Sequence, residues 1–266
     1  MDRSSRGRHR PGGSRTHRPV AGRDRPRLEG AVVSVEVLLA CSPAPTTPVE
    51  RAALAGLANA VRREAPGLDV RQVVVSGPLA DSLPVLDVPA VAVPIGLSPQ
   101  RDVVRALATA RAQAPRLRLA APLGPDWALA EIGAERLIAA GARKGDTIVL
   151  GVPGSTEGQE LAAFARAARL LSAVWGGRVH LGSLTGSDTS LTDAIDIARA
   201  YGRRVVVSSY LLSGGQQLGA LRACGADLVT APFLDGGPPD ARLAGLVLTR
   251  FEQALGRSAL ASDPGA

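Results

Sequence analysis

Runs of β-branched and aliphatic residues alternate with amphipathic stretches along this chain from residue 31 onward. Eight of these runs predict β-strands, at Val32–Ala40, Val70–Val75, Ala90–Pro94, Leu117–Ala121, Thr147–Val152, Arg178–Leu184, Arg204–Ser209 and Asp227–Ala231. Strands that alternate with helical stretches are typical of α/β proteins with parallel sheets. The pattern therefore predicts an α/β fold.

The stretches between the strands have helical spacing. In Pro48–Glu64, the residues Leu54, Leu57 and Val61 recur at steps of three and four, which places them on one face of a helix. The remaining predicted helices are Pro99–Ala114, Asp126–Ala140, a helix that opens at Thr156, Leu191–Ala200, Gln216–Cys224 and Asp240–Leu255.

Two of these helices open with the residues of a capping box. Thr47 stands three positions before Glu50, with Pro48 at the first helical position, and Thr156 stands three positions before Gln159. In a capping box, the Thr hydroxyl and the Glu or Gln side chain each accept a hydrogen bond from the backbone N–H of the other residue. We expect this arrangement at both helix starts.

The pattern of strands and helices occurs twice. The similar triplets Ala121–Leu123 and Ala231–Phe233 lie 110 positions apart, and the other similar segments have offsets within a few residues of that value. This repeat predicts two tandem similar lobes, at residues 31–143 and 144–257, each a mainly parallel four-stranded sheet flanked by helices. Two such lobes leave a cleft at the carboxyl ends of their strands, where ligands bind in α/β sheets.

Charge is concentrated in the first 30 residues, which contain nine Arg against three acidic residues, whereas the rest of the chain holds 22 basic and 21 acidic residues. The balanced body gives no electrostatic reason to expect a nucleic-acid binder. Residues 1–30 combine Arg, Pro, Gly and Ser with little to bury, so we expect a disordered basic tail without catalytic purpose, and a disordered C-terminus at 258–266. A basic arm for RNA or an acidic membrane is the alternative.

The apolar runs are too short for a membrane helix, which needs about 20 residues, so we expect a cytoplasmic protein with no membrane partner.

The sequence has no G-x-G-x-x-G after a strand, no G-x-x-x-x-G-K-[ST] and no G-x-S-x-G. His180, the one histidine outside the tail, lies in a predicted strand and is interpreted as a packed side chain. Cys41 and Cys224 lie too far apart in sequence to indicate a disulfide framework or a structural zinc site.

Three segments carry a resemblance to a known family: Gly154-Ser155 after the fifth strand, Leu123–Glu131, and Val206–Gly215. In this setting of a duplicated α/β chain, they resemble the type II chelatases, the sirohydrochlorin cobalto- and ferrochelatases of siroheme and vitamin B12 synthesis. The resemblance covers about Val33 to Leu255. It implies a lyase that inserts Fe²⁺ or Co²⁺, as a substrate, into a sirohydrochlorin-like tetrapyrrole held between two lobes, with no organic cofactor.

The sequence departs from this family at its metal-binding histidines. Where the family has His-Gly-Ser after the first strand, this chain reads Ala40–Pro43, and the loop of the second family histidine here reads Gly96–Asp102. No catalytic histidine can therefore be carried over from the family.

Cys41 is the candidate metal ligand, because a thiolate is a soft ligand and the helix that follows can lower the pKa of the thiol. The alternative is that Cys41 is a small buried residue that closes the strand.

The candidate tetrapyrrole contacts all follow strands. Gln100 and Arg101 lie in the loop after the third strand, and a guanidinium is a good partner for the carboxylates of sirohydrochlorin; a solvated charge at a helix start is the alternative for Arg101. The other candidates are Ser42, Ser155, Ser209 and Tyr210. Two functions remain open: an active chelatase, or a non-catalytic relative that binds a tetrapyrrole or a partner protein.

Overall fold

The structure, a computed structural model, describes residues 36–75, 88–202 and 204–256. The predicted tail at 1–30 and the predicted C-terminus at 258–266 lie outside these residues. The first half of the chain contains β1 (Val37–Pro43), α1 (Pro48–Glu64), β2 (Asp69–Val75), β3 (Ala90–Pro94), α2 (Arg101–Gln113), β4 (Leu117–Leu119) and α3 (Trp127–Ala139). The second half contains β5 (Thr147–Val152), α4 (Gly158–Trp175), β6 (Val179–Ser183), α5 (Leu191–Arg199), β7 (Val205–Ser209), α6 (Gln216–Arg222), β8 (Leu228–Val229) and α7 (Ala241–Leu255).

Each half forms its own four-stranded sheet, with the orders β2-β1-β3-β4 and β6-β5-β7-β8, and every pairing is parallel. The predicted α/β fold with two similar parallel sheets is confirmed. The first strand runs on to Pro43, past its predicted end at Ala40, because it continues to pair with β2 through Val75. The edge strands β4 and β8 are shorter than predicted, with three and two residues.

The two faces of each sheet bury different clusters. The inner faces share one core, in which Leu38 and Val91 of the first sheet join Ile148 and Val206 of the second, around Phe164. The outer face of the first sheet packs on α2 and the outer face of the second sheet packs on α5 and α6. Because both faces of the central strands are buried, these strands are apolar at nearly every position.

The last helix of each half packs against the other half. Helix α3 packs against α4 and β7, and α7 packs against α1, β3 and β4. The Arg250 side chain of α7 is 12% exposed and donates to the carbonyls of Pro122 and Leu123, at 3.0 Å each, and to Asp126 Oδ2 at 2.7 Å. The exchange therefore joins the halves with charge-assisted hydrogen bonds as well as apolar packing.

The capping box at α1 is confirmed. Thr47 Oγ1 accepts from the Glu50 N–H at 3.1 Å, and Glu50 Oε2 accepts from the Thr47 N–H at 3.2 Å. The hydroxyl and the carboxylate thereby satisfy backbone donors that have no partner inside the helix.

The capping box predicted at Thr156 is wrong. Helix α4 begins at Gly158, after an N-cap residue, Glu157, whose side chain makes no cap hydrogen bond. The loop after β5 instead pairs with the loop after β6. Thr185 N–H donates to Pro153 O at 3.1 Å, and Ser187 N–H donates to Ser155 O at 3.1 Å. These hydrogen bonds tie the loop to its neighbour as far as Ser155, and the helix begins three residues later, at Gly158.

None of the helices within the described ranges is long and apolar enough to cross a membrane.

Candidate functional site

A cavity of about 350 Å³ opens between the two halves at the carboxyl ends of their strands. The end of β1 and the loop after it contribute 42–46, and the loop after β3 contributes 95–98 and Gln100. The turn between β7 and α6 contributes 210–214, and the start of α6 contributes Gln216 and Gln217. The volume lies in the range of small-molecule sites. The predicted cleft at this edge is therefore present, and both halves line it.

Tyr210 forms part of the cavity wall and joins the halves. Its side chain is buried, and its hydroxyl donates to the Leu97 carbonyl at 3.0 Å. The ring contacts Phe164 and Phe233 edge-on, with centroid distances of 6.4 and 5.9 Å. Burial raises the pKa of Tyr210, so the hydroxyl is neutral. Gly124 allows this approach, because a Cβ there would stand 2.6 Å from the Tyr210 oxygen.

The polar groups of the wall are hydroxyls, amides and one carboxylate. Ser42 and Ser98 are buried, and Ser98 Oγ donates to Glu160 Oε1 of α4 at 2.6 Å. The amides belong to Gln100, Gln216 and Gln217, and the carboxylate to Glu50. Among the described residues that line the cavity, none is Arg, Lys or His. The wall therefore presents acceptors and neutral donors without a formal positive charge.

Glu50 is the wall residue whose chemical role the sequence did not indicate. Its Oε2 accepts from the Thr46 N–H at 2.6 Å, from Thr46 Oγ1 at 2.7 Å and from the Thr47 N–H at 3.2 Å. Its Oε1 lies against the turn at Gly215 of the second half, where a Cβ would stand 2.3 Å away. The capping box identified Glu50 as structural, and no pattern in the single sequence marks this residue of the first turn of α1 as part of the cavity wall.

Cys41 lies on the other side of the first sheet. The side chain is fully buried in the cluster between β1 and α2, and its Sγ donates to the Leu39 carbonyl at 3.4 Å. Burial raises the pKa of the Cys41 thiol to about 12. The expectation that the following helix lowers this pKa is wrong, because the thiol points into apolar packing. A role as metal ligand stays a prediction that this placement does not favour.

Of the two residues predicted after β3, only Gln100 lines the cavity. Arg101, the first residue of α2, is 62% exposed and pairs with Glu157 Oε1 of the second half at 2.7 Å. Such exposed ion pairs contribute about 0–1 kcal/mol and exchange readily. Arg101 therefore lies outside the cavity with a partner that an incoming anion can replace.

The two predicted serines of the second half are also outside the lining. Ser155 Oγ accepts from the Glu157 N–H at 3.0 Å and so shapes its own loop. Ser209 is buried, its N–H donates to Thr230 Oγ1 at 2.9 Å, and its Oγ has no partner in the described part of the chain. The structure thus brings Ser42, Gln100 and Tyr210 together at the cavity and places Arg101, Ser155, Ser209 and Cys41 elsewhere.

His180 is a packed side chain, as interpreted from the sequence. Its ring lies 5.5 Å from that of Tyr201, and its Nε2 is buried without a partner in the described residues. Burial and the nearby Arg178 lower the pKa of His180. Within the described ranges, no group of three or more His, Cys, Asp or Glu side chains is placed to hold a metal ion.

No family model matches the sequence, and no curated protein sequence matches it significantly. Solved structures do match. SirB from Bacillus subtilis, determined with Fe³⁺, is 13% identical with a TM-score of 0.61 over 82% of this chain and 95% of that one. CbiX, the terminal enzyme of siroheme biosynthesis in denitrifying bacteria, is 20% identical with a TM-score of 0.57 over 80% and 98%.

The chain has the chelatase fold. DR2241 from Deinococcus radiodurans, a multi-domain protein with structural similarity to chelatases and two additional domains, matches with 16% identity and a TM-score of 0.60. The match covers 83% of this chain and 55% of that protein. At these identities the likeness shows the fold alone, and the fold agrees with the resemblance carried by the loops after β4, β5 and β7.

Proposed function

We propose that this chain binds a sirohydrochlorin-like tetrapyrrole in the cavity between its halves and inserts Fe²⁺ or Co²⁺ into it. The observation that carries the proposal is the cavity itself, which opens at the carboxyl edge of both sheets in a chelatase fold. Leu54, Ile95 and Leu212 give it apolar surface for a flat macrocycle. The metal ion is a substrate of the proposed reaction.

Insertion requires that the two central N–H groups of the macrocycle lose their protons. Glu50 is the one ionisable acceptor among the described lining residues, so it is the proton acceptor that the chain offers at the cavity. Ser42 and Gln100 supply neutral hydrogen bonds that orient the ring.

Arg101 is proposed as a contact for the peripheral carboxylates of the tetrapyrrole. It follows Gln100 of the lining directly, and its exposed pairing with Glu157 leaves it able to exchange partners. We expect Arg101→Ala to weaken sirohydrochlorin binding by about 1 kcal/mol, since the contact is solvent-exposed. Arg105→Ala, one turn farther along α2 and exposed, is the matched control and should leave the affinity unchanged. Equal affinities of the two variants would remove Arg101 from the site.

A non-catalytic protein that binds the tetrapyrrole is the second candidate. The described residues contain no group of three metal-ligating side chains, and Cys41 faces away from the cavity. Both observations favour binding without insertion.

An absorbance assay with sirohydrochlorin and Co²⁺ or Fe²⁺ separates the two candidates. The chelatase proposal expects insertion faster than the uncatalysed reaction, and a slower rate for Glu50→Gln. Tight binding with the uncatalysed rate would establish the second candidate. Absence of binding to sirohydrochlorin would contradict both.

A further inference from the structure

The two carboxylate oxygens of Glu50 have different surroundings. Oε2 accepts three hydrogen bonds from Thr46 and Thr47, which fixes the carboxylate at the start of α1. Among the residues that the structure describes, none donates to Oε1. This oxygen lies against Gly215, between two residues of the cavity lining, Gly214 and Gln216. The cap thus uses Oε2 and leaves Oε1 beside the turn that borders the cavity.

The charge around this oxygen limits what it can bind. Since no Arg, Lys or His occurs among the described lining residues, a ligand carboxylate placed beside Oε1 would meet an uncompensated negative charge. A ligand N–H group would instead form a charge-assisted hydrogen bond, which is stronger than a bond between neutral groups. The cavity wall at Glu50 is therefore complementary to an N–H donor and not to an anion.

We infer that Glu50 Oε1 is the acceptor for the central N–H groups of the tetrapyrrole, so that the cavity binds the metal-free macrocycle more tightly than its metal complex. This inference rests on the proposed function. The central N–H groups are present only before a metal enters, because insertion removes both protons. The same hydrogen bond that holds the metal-free ring is absent once the ring carries a metal.

Glu50→Gln tests the role of this oxygen without removing the cap. Gln is accepted at the same position of a capping box, so its amide oxygen can replace Oε2 toward Thr46 and Thr47. Its NH₂ group then occupies the place of Oε1 and turns the acceptor into a donor. Thr47→Ala is the matched control, because it weakens the same cap from a residue outside the cavity lining.

The experiment is an absorbance titration of the full chain, its Glu50→Gln variant and its Thr47→Ala variant with sirohydrochlorin and with the Cu²⁺ complex of the same macrocycle. Copper is the metal of choice because its tetragonal preference leaves little affinity for a carboxylate above the ring. We expect the unchanged chain and the Thr47→Ala variant to bind metal-free sirohydrochlorin at least about tenfold more tightly than its Cu²⁺ complex. Glu50→Gln should bind both forms with equal affinity.

The outcomes separate the inference from the proposed function. Binding of both forms by the unchanged chain without a preference, or a preference that survives in Glu50→Gln, would overturn the role of Glu50 and leave the proposed function standing. Failure of the unchanged chain to bind either form would overturn the proposed function and this inference with it.

Discussion

The ends of β1 and β5 occupy corresponding places in the two halves, yet they meet different surroundings. Cys41 and Pro43 of β1 match Gly151 of β5 and Pro153, the residue after β5, at the repeat spacing of 110 positions. After Pro43 the chain turns into the cavity and enters α1 through a capping box. After Pro153 it pairs with the loop between β6 and α5. The loop after β1 thus forms a stretch of the cavity wall, whereas the loop after β5 contributes Pro153 to the wall and is then held by its neighbour.

Two glycines make the second arrangement possible. Gly154 has φ +90°, and a Cβ there would stand 1.8 Å from the Thr185 carbonyl oxygen; Gly186 has φ +95°, and its Cβ would stand 2.3 Å from the Ser155 carbonyl oxygen. The two loops therefore lie backbone against backbone. A duplicated sequence pattern therefore reproduces the strands and helices. The path of the loop that follows a strand depends instead on whether the neighbouring loop can approach it.

The largest expected effect concerns Cys41, the residue that fills the place of Gly151. Burial raises the pKa of this thiol to about 12, so near pH 8 it carries far less thiolate than an exposed cysteine, and packing also shields it from a reagent. We expect the Cys224→Ala variant, in which Cys41 is the remaining thiol, to react with a disulfide reagent only after denaturation. Rapid reaction in the native state would show that the end of β1 is open, and it would restore Cys41 as a candidate ligand.

The next effect concerns the paired loops. Gly154→Ala should lower the free energy of unfolding by about 3 kcal/mol or more, since it combines a strained φ with a backbone clash. Gly158→Ala is the control: apart from its chain neighbours and its own helix backbone, no atom of the described residues lies within 4 Å of a Cβ added at this first residue of α4. It should change stability by about 0.5 kcal/mol, in the stabilising direction. Equal stabilities in urea denaturation would contradict the close approach of the two loops.

The smallest effect concerns the two helix starts. Thr47→Ala should cost about 1 kcal/mol, because it removes a hydroxyl that accepts from the Glu50 N–H. Thr156→Ala should change stability by less than about 0.5 kcal/mol, since this threonine is exposed and forms no cap. Melting curves of the two variants provide the measurement. A larger loss for Thr156→Ala would mean that the predicted second capping box exists after all.

The sequence pattern predicted the strands and helices well, and the reasons are local. β3 and β5 have the predicted bounds, and β5 ends where its apolar run meets Pro153 and Gly154. The side of the sheet on which Cys41 lies was not predictable. Val37 and Leu39 share its outer face while Leu38 and Ala40 face inward, and all of them are buried. An apolar residue at every position gives no alternation from which to read a direction.

The location of the site was predictable from the sequence, but most of the residues that line it were not. Parallel strands end at one edge, so the cavity between the halves followed from topology. Its wall did not, because α3 and α7 exchange partners through contacts between residues far apart in sequence, and this packing fixes how the two edges meet. Glu50 belongs to the wall that this packing forms, whereas Arg101 lies outside it, paired with Glu157. A single sequence records neither relation.

Filling the cavity with a large side chain tests whether the tetrapyrrole binds there. Ala44 is exposed and lines the cavity from the loop after β1, so Ala44→Trp adds an indole there without disturbing buried packing. Ile138→Trp, at a position 65% exposed on α3 and outside this lining, is the control. In titrations with sirohydrochlorin, we expect Ala44→Trp to lose binding while Ile138→Trp binds like the unchanged chain, with equal melting temperatures. Unchanged binding by a folded Ala44→Trp variant would contradict this expectation.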